Sequence, residues 1–224
     1  MKRLGVFGGT FDPVHYGHLK PAEEVFTRFA LDALVFVPNA VPPHKPNDPV
    51  SSFAHRFAML ALATAPDDHF LLSDVEQRRG GPSYTVDTLR EIRVAWRAEA
   101  VFFVLGSDSL AQITTWHRWE TLVELAHLVV LHRHPWWGAE LERRVPALLR
   151  PRMRVVDRTA GGDLATGGAG EGSILLLEHT PSPISATAVR QRLRAGQGAS
   201  GLVPPEVERY AVKNRLYHRE ERGD

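Results

Sequence analysis

No cysteine occurs in the 224 residues. Disulfides, thiolate metal sites and cysteine nucleophiles are thereby excluded. Neither charge is in excess: 27 Lys and Arg stand against 26 Asp and Glu, a formal net charge of +1. A binder of long polyanions would carry a broad basic surplus, so nucleic acid is not an expected partner. A small anion is still compatible, because a pocket can be basic while the chain is neutral. No apolar run reaches the roughly 18 residues of a membrane span, and the opening MKRLGVFGG turns to glycine too early for a signal-peptide core. A membrane is therefore not expected as a partner, and the cytoplasm is the expected location. With 43% hydrophobic and 24% charged residues, the chain has the composition of a soluble globular protein. Its length allows one large domain or two small ones. The 11 histidines pose the open question: surface residues, metal ligands or part of a phosphate site.

The pattern predicts a buried strand over 2–7, ended by Gly8-Gly9, a helix over 17–30 and a strand over 33–37 closed by Pro38. That is a βαβ unit, which requires a parallel pair and a right-handed crossover. Prolines at 38, 42, 43, 46 and 49 mark a loop. Further helices are expected over 53–65, 83–96 with Ser83 as N-cap, 110–113, 119–126, 139–149, 185–195 and 205–213. Strands are expected over 69–72, 100–105, 128–131, 153–156 and 174–177. Strand and helix alternate throughout, so the fold class is α/β: a Rossmann-like open, mainly parallel sheet with helices on both faces. A single domain over 1–224 is expected, with a small helical part at about 184–218. Six of the 18 glycines fall in 161–172, which reads as a surface loop over about 158–173.

The segment between the first strand and first helix carries the most information. In an open α/β sheet, ligands bind at the carboxyl ends of strands near the switch point. Glycines there admit an anion close to the backbone, and the following helix directs its positive end at the same place. The glycines at 5, 8 and 9 fit neither a Walker loop nor Gly-x-Gly-x-x-Gly spacing. The loop ends instead in His15-Tyr16-Gly17-His18, with two histidines three apart at a helix start. Phosphate binding, a zinc pair and a capping role are all open for them. Gly17 removes a side chain that would block a ligand.

The segment GGTFDPVHYGHL at 8–19 resembles the signature of the nucleotidylyltransferase superfamily. The order of further motifs is similar to that of bacterial nicotinate-nucleotide adenylyltransferases: PNAVPPHK at 38–45, PSYTVDTL at 82–89, GSDSL at 106–110, TTWHRWETL at 114–122, ISATAVRQRL at 184–193 and VERYAVKNRLYH at 207–218. The resemblance implies a Rossmann-like fold and AMP transfer from ATP to nicotinic acid mononucleotide, giving the dinucleotide and pyrophosphate. It implies that His18 bonds the α-phosphate with His15 beside it. Gly8, Gly9, Thr10 and Phe11 complete the cradle, while Gly106, Asp108, Ile184, Ser185 and Arg190 hold the rest of the ATP. Lys45, Thr85, Trp116 and Arg133 fall to the mononucleotide. At Arg133 an inserted residue departs from the family's Arg-Pro-Gly. Mg²⁺ is implied as a cofactor, bridged mainly by substrate phosphates, and no protein metal site is expected. Trp119 reads as core, Arg192 and Arg194 as solvated, His44 as open, and the other eight histidines as structural or surface residues. Two rivals are a sister enzyme with another acceptor, such as phosphopantetheine, and a nucleotide sensor without turnover. Homo-oligomerisation is left open.

Overall fold

The computed structural model describes residues 1–41, 51–133, 136–156, 172–178 and 182–217. Lys45, with Pro42, Pro43 and His44, lies outside the described residues, as does the glycine-rich segment apart from Gly172. Strands β1 (Arg3–Gly9), β2 (Ala33–Pro38), β3 (Phe70–Leu72), β4 (Ala100–Gly106), β5 (His127–Leu131), β6 (Met153–Val156) and β7 (Ile174–Leu177) form one sheet in the order β3-β2-β1-β4-β5-β7-β6. Every pairing is parallel. The strands are continuous apolar runs because both sheet faces are covered; in β2 all six residues are buried.

One face carries α3 (Val75–Arg79), α4 (Thr85–Trp96), α5 (Ser107–Leu110), α6 (Leu122–Leu125) and α7 (Gly138–Arg144). Val86, Leu89 and Ile92 of α4 pack there with Val6, Val35 and Phe103. The other face carries α1 (Tyr16–Arg28), α2 (Phe53–Thr64), α8 (Ala186–Arg194) and α9 (Pro205–Lys213). Val25, Met59, Val189 and Val207 meet Phe7, Phe36 and Phe102 on this side. From β1 the strand order runs one way to β2 and β3 and the other way to β4 and β5. The switch point is therefore the crevice between the ends of β1 and β4, where such sheets bind ligands.

The expected fold class holds, and the sheet is parallel throughout rather than mainly so. Strands 153–156 and 174–177 and the helix 205–213 form where the pattern put them. Other boundaries move for local reasons. The strand β1 continues through Gly8 and Gly9, which pair with Val37 and Pro38. The helix predicted over 139–149 stops at Arg144, because Val145 precedes Pro146 and is extended, with ψ 133°. The five-residue α3 was not predicted; it is too short to show a period. The helical piece expected over 119–126 forms as a 3₁₀ turn over Trp119–Thr121 followed by α6, while in place of one over 110–113, α5 begins at Ser107 and a 3₁₀ turn covers Ile113–Thr115. No helix among the described residues is long and apolar enough to cross a membrane.

Candidate active site

The switch-point crevice opens into a cavity of about 760 Å³. That is the size of a small-molecule site. Gly8, Gly9, Thr10, Phe11, His15, His18, Thr85, Gly106, Asp108, Trp116, Arg133, Ile184, Ser185 and Arg190 all line it. Every described residue of the expected set is thus brought to one place, from five regions of the chain.

His15 is the N-cap of α1, and His18 lies in the first turn. Their rings stack with centroids 3.8 Å apart. Phe11 sets its edge against His18 at 5.0 Å, so His18 is held between two rings. The His15 backbone N–H donates to His18 Nδ1 at 3.3 Å. Nδ1 is therefore an acceptor, and the proton of a neutral ring sits on Nε2. His18 lines the cavity, so that N–H is available to a ligand. Gly17 has a different reason from the one expected. A Cβ there would lie 2.8 Å from His15 Nδ1 and 3.0 Å from the Ile184 carbonyl. The glycine makes room for the His15 ring and the chain before α8, rather than for a ligand.

Burial, and then the Arg133 cation, lower the His15 pKa from 6.5 to about 4. Burial, His15 and Arg133 push His18 well below its usual value. Both rings are neutral near pH 7. A histidine whose pKa is depressed by folding takes its proton more readily when unfolded. The stability it contributes is complete above pH 6.5 and declines as pH falls from 6.5 towards 4. For His15 the slope is roughly 1.4 kcal/mol per pH unit in that window. Urea denaturation of His15→Gln at pH 7 and pH 5 should show a smaller loss on acidification than the parent; equal losses would refute the neutral buried ring.

Arg133 reaches this place despite the altered motif around it. Its backbone N–H donates to Ser107 Oγ at 2.8 Å, and Ser107 Oγ–H donates back to the Arg133 carbonyl at 3.0 Å. The Trp136 N–H closes a turn onto the same carbonyl at 3.0 Å. Gly106 is required here: a Cβ would fall 2.2 Å from Asp108 Oδ1 and 2.9 Å from Arg133 Cδ. Asp108 does not cap α5, and its Oδ1 is buried without a hydrogen-bond partner among the described residues. An acceptor so placed awaits a ligand donor.

Ser185 is the N-cap of α8, as expected, accepting from the Ala188 N–H at 3.2 Å. Arg190, one turn on, donates to the Asp12 carbonyl at 2.7 Å and to Thr187 Oγ1 at 3.3 Å. At the other end of the cavity, the N-cap of α4 is Tyr84 rather than Ser83. Ser83 pairs instead with Val41, whose N–H donates to Ser83 Oγ at 3.1 Å. The Tyr84 side chain makes no cap bond to α4, and the first amides of a helix have no partner within it. Trp116 ends a 3₁₀ turn, edge-on to Phe103 at 6.2 Å. Trp119 is only partly buried against the core.

Sequence reasoning did not place Arg194, His117 or Glu76 in the cavity, though all three line it. Arg194 is exposed, as expected, but it also lines the cavity and donates to the Tyr217 carbonyl at 3.2 Å. Arg192 bonds the carbonyls of Gly198 and Gln197. His117 stacks on Tyr84 at 4.3 Å, and both line the cavity. Glu76, 5% exposed, accepts from Thr88 Oγ1 at 2.6 Å and from the Ala40 N–H at 3.3 Å. No three His, Asp or Glu side chains converge as metal ligands among the described residues.

The cytidylyltransferase-like family model matches residues 6–192. A nicotinate-nucleotide adenylyltransferase of Shewanella baltica is 37% identical over 215 residues, covering 96% of this chain and 99% of its own. One of Pseudomonas aeruginosa is 40% identical over 217 residues, covering 96% and 97%. Among solved structures, Plasmodium falciparum nicotinic acid mononucleotide adenylyltransferase complexed with NaAD superposes with a TM-score of 0.70 at 18% identity, covering 97% of this chain and 98% of that one. The structural likeness supports the fold, and the identities to full-length relatives carry the assignment: the chain belongs to the cytidylyltransferase-like family and, within it, to the nicotinate-nucleotide adenylyltransferases.

Proposed function

We propose that the protein transfers AMP from ATP to nicotinic acid mononucleotide, releasing pyrophosphate and forming the adenine dinucleotide of nicotinic acid. The observation that carries this reading is the neutral, stacked pair His15–His18 at the switch point, with Arg133 and Arg190 in the same cavity. Among the described residues the cavity offers phosphate donors and no nucleophile–base dyad. The reaction needs none. The mononucleotide's 5′-phosphate is an anion at neutral pH and attacks the α-phosphorus in line. One O–P bond forms, and the bond to the pyrophosphate oxygen breaks. Catalysis is then alignment, plus stabilisation of charge spreading over the α-phosphate oxygens.

His18 Nε2–H donates to an α-phosphate oxygen, and His15 fixes its ring. Neutrality suits the task, because the donor needs no proton uptake before it acts. Gly8, Gly9, Thr10 and Phe11 shape the floor under the phosphates. Arg190 and Ser185 hold the β- and γ-phosphates, a planar fork being matched to phosphate oxygens. Asp108 Oδ1 accepts from ribose hydroxyls beside Gly106, and Ile184 flanks the adenosine. At the opposite end Trp116 offers a flat face to the pyridine ring. The α4 amides at Thr85 receive its carboxylate, and Arg133 faces the mononucleotide phosphate. Lys45, from the loop after β2, is assigned to the mononucleotide on the motif alone.

Mg²⁺ would be carried in mainly on the nucleotide phosphates, and Asp12, Glu76 and Asp108 are the carboxylates that line the described cavity. Such an ion neutralises phosphate charge when bound.

The test is pyrophosphate release from ATP with nicotinic acid mononucleotide, its amide counterpart and phosphopantetheine as separate acceptors. The acid mononucleotide should give the highest kcat/KM. Turnover with phosphopantetheine alone would replace this reading with the sister activity, and no ATP consumption with any acceptor would point to a sensor.

A further inference from the structure

Asp12 is 3% exposed and makes no ion pair among the described residues. A buried carboxylate is costly unless its oxygens are satisfied. Here the two oxygens tie distant segments together. Oδ2 accepts from the Ser51 N–H at 3.1 Å, and Oδ1 accepts from the Tyr217 hydroxyl at 2.6 Å. The backbone carbonyl of the same residue accepts from Arg190 Nη1 at 2.7 Å. Asp12 thus stands between Tyr217 on one side and a cavity arginine on the other. Tyr217 does not itself line the cavity.

Tyr217 is held from both ends. Its carbonyl accepts from Arg194 Nε at 3.2 Å, and Arg194 lines the cavity. Its backbone sits at φ +70°, in the left-handed region that a tyrosine rarely occupies. Such strain persists only where surrounding contacts over-determine it. Burial and the neighbouring Asp12 charge raise its pKa, so the hydroxyl stays protonated and donates.

We propose that Tyr217 is a positioning residue for the nucleotide phosphates: through Asp12 it holds the loop after β1 and the Arg190 guanidinium in binding geometry. This rests on the reading of the cavity as an ATP site. Tyr217 touches no reacting atom. Without its hydroxyl, Asp12 loses its shortest bond and the 10–15 loop gains freedom that ATP must then remove. The mononucleotide end, formed by α4 and Trp116, is built from other segments and is untouched.

The experiment is Tyr217→Phe, which keeps the ring and removes the donor. Calorimetry with Mg-ATP should show affinity weakened about tenfold, or 1.4 kcal/mol. The KM for the mononucleotide should hold at the parent's value, while the thermal midpoint falls by about 2–4 °C per kcal/mol lost at Asp12 Oδ1. In an Arg190→Lys background the same substitution should weaken ATP binding by less, since both act through Asp12. Unchanged ATP affinity, equal weakening of both substrates, or additive losses in the double variant would each overturn the proposal. A parent that binds ATP but fails to use the mononucleotide would sink the acceptor assignment and leave this inference standing.

Discussion

Replacing His18 by alanine should reduce kcat by about 10²–10³-fold, the range seen when one donor to a developing oxyanion is removed. The fold should survive, because the side chain faces the cavity and contributes one 3.3 Å bond to the α1 terminus. Loss of that bond costs about 0.5–1.5 kcal/mol, a small part of a typical folding free energy. The effect should fall on kcat more than on the KM for ATP, since the α-phosphate gains its extra charge only as the bond to pyrophosphate breaks. His18→Gln gives a sharper comparison: an amide N–H placed like Nε2–H should restore part of the rate. Near-parental turnover in His18→Ala would remove the neutral-donor mechanism.

Arg56→Leu should be the most destabilising single change at this site, by about 3–5 kcal/mol in urea denaturation. Arg56 is 2% exposed. Its Nε donates to the Ser51 carbonyl and its Nη1 to the Thr10 carbonyl, each at 2.9 Å. Burial lowers its pKa, while the carboxylates of Asp12 and Glu76 support the charge. Leucine would leave two part-buried carbonyls without this donor and remove a cation near the buried carboxylates of Asp12 and Glu76. Arg56→Lys should lie in between, keeping charge but not the fork that reaches both carbonyls. Arg78→Ala makes the contrast: its pair with Asp74 is exposed, and such pairs contribute about 0–1 kcal/mol. Losses of similar size in Arg56→Leu and Arg78→Ala would mean that the buried arginine is not the tie it is taken to be.

What the sequence discloses depends on how local the cause is. The sheet was readable because runs such as Ala33–Pro38 are buried on both faces and carry no ambiguous polar residue. The His15–His18 pair and Ser185 were readable because a helix start sets their geometry within one turn. Arg56 was not: within the helical segment FAHRFAMLAL it reads as a solvent position, whereas its guanidinium is tied to the Ser51 carbonyl and to the Thr10 carbonyl 46 residues away. Ser83 was misread for the same reason, since its partner Val41 is 42 residues away. His117 and Arg194 reached the cavity through tertiary neighbours, Tyr84 and Tyr217. Of the three motif cations, Arg133 and Arg190 line the cavity, and Lys45 lies outside the described residues.

The bond between Asp12 and Tyr217 spans 205 residues, and that between Asp12 and Arg190 spans 178. During synthesis, β1 meets β2 after about thirty residues and β4 after about a hundred, as their register shows. The sheet can therefore gather while the chain is still being made, since contacts close in sequence cost less loop entropy to form. The phosphate cradle cannot. Its loop emerges among the first residues but finds its last restraint only when position 217 is available. A nascent chain would carry much of its hydrophobic framework well before it could grip ATP, so competence to bind nucleotide arrives late and marks completion of the fold.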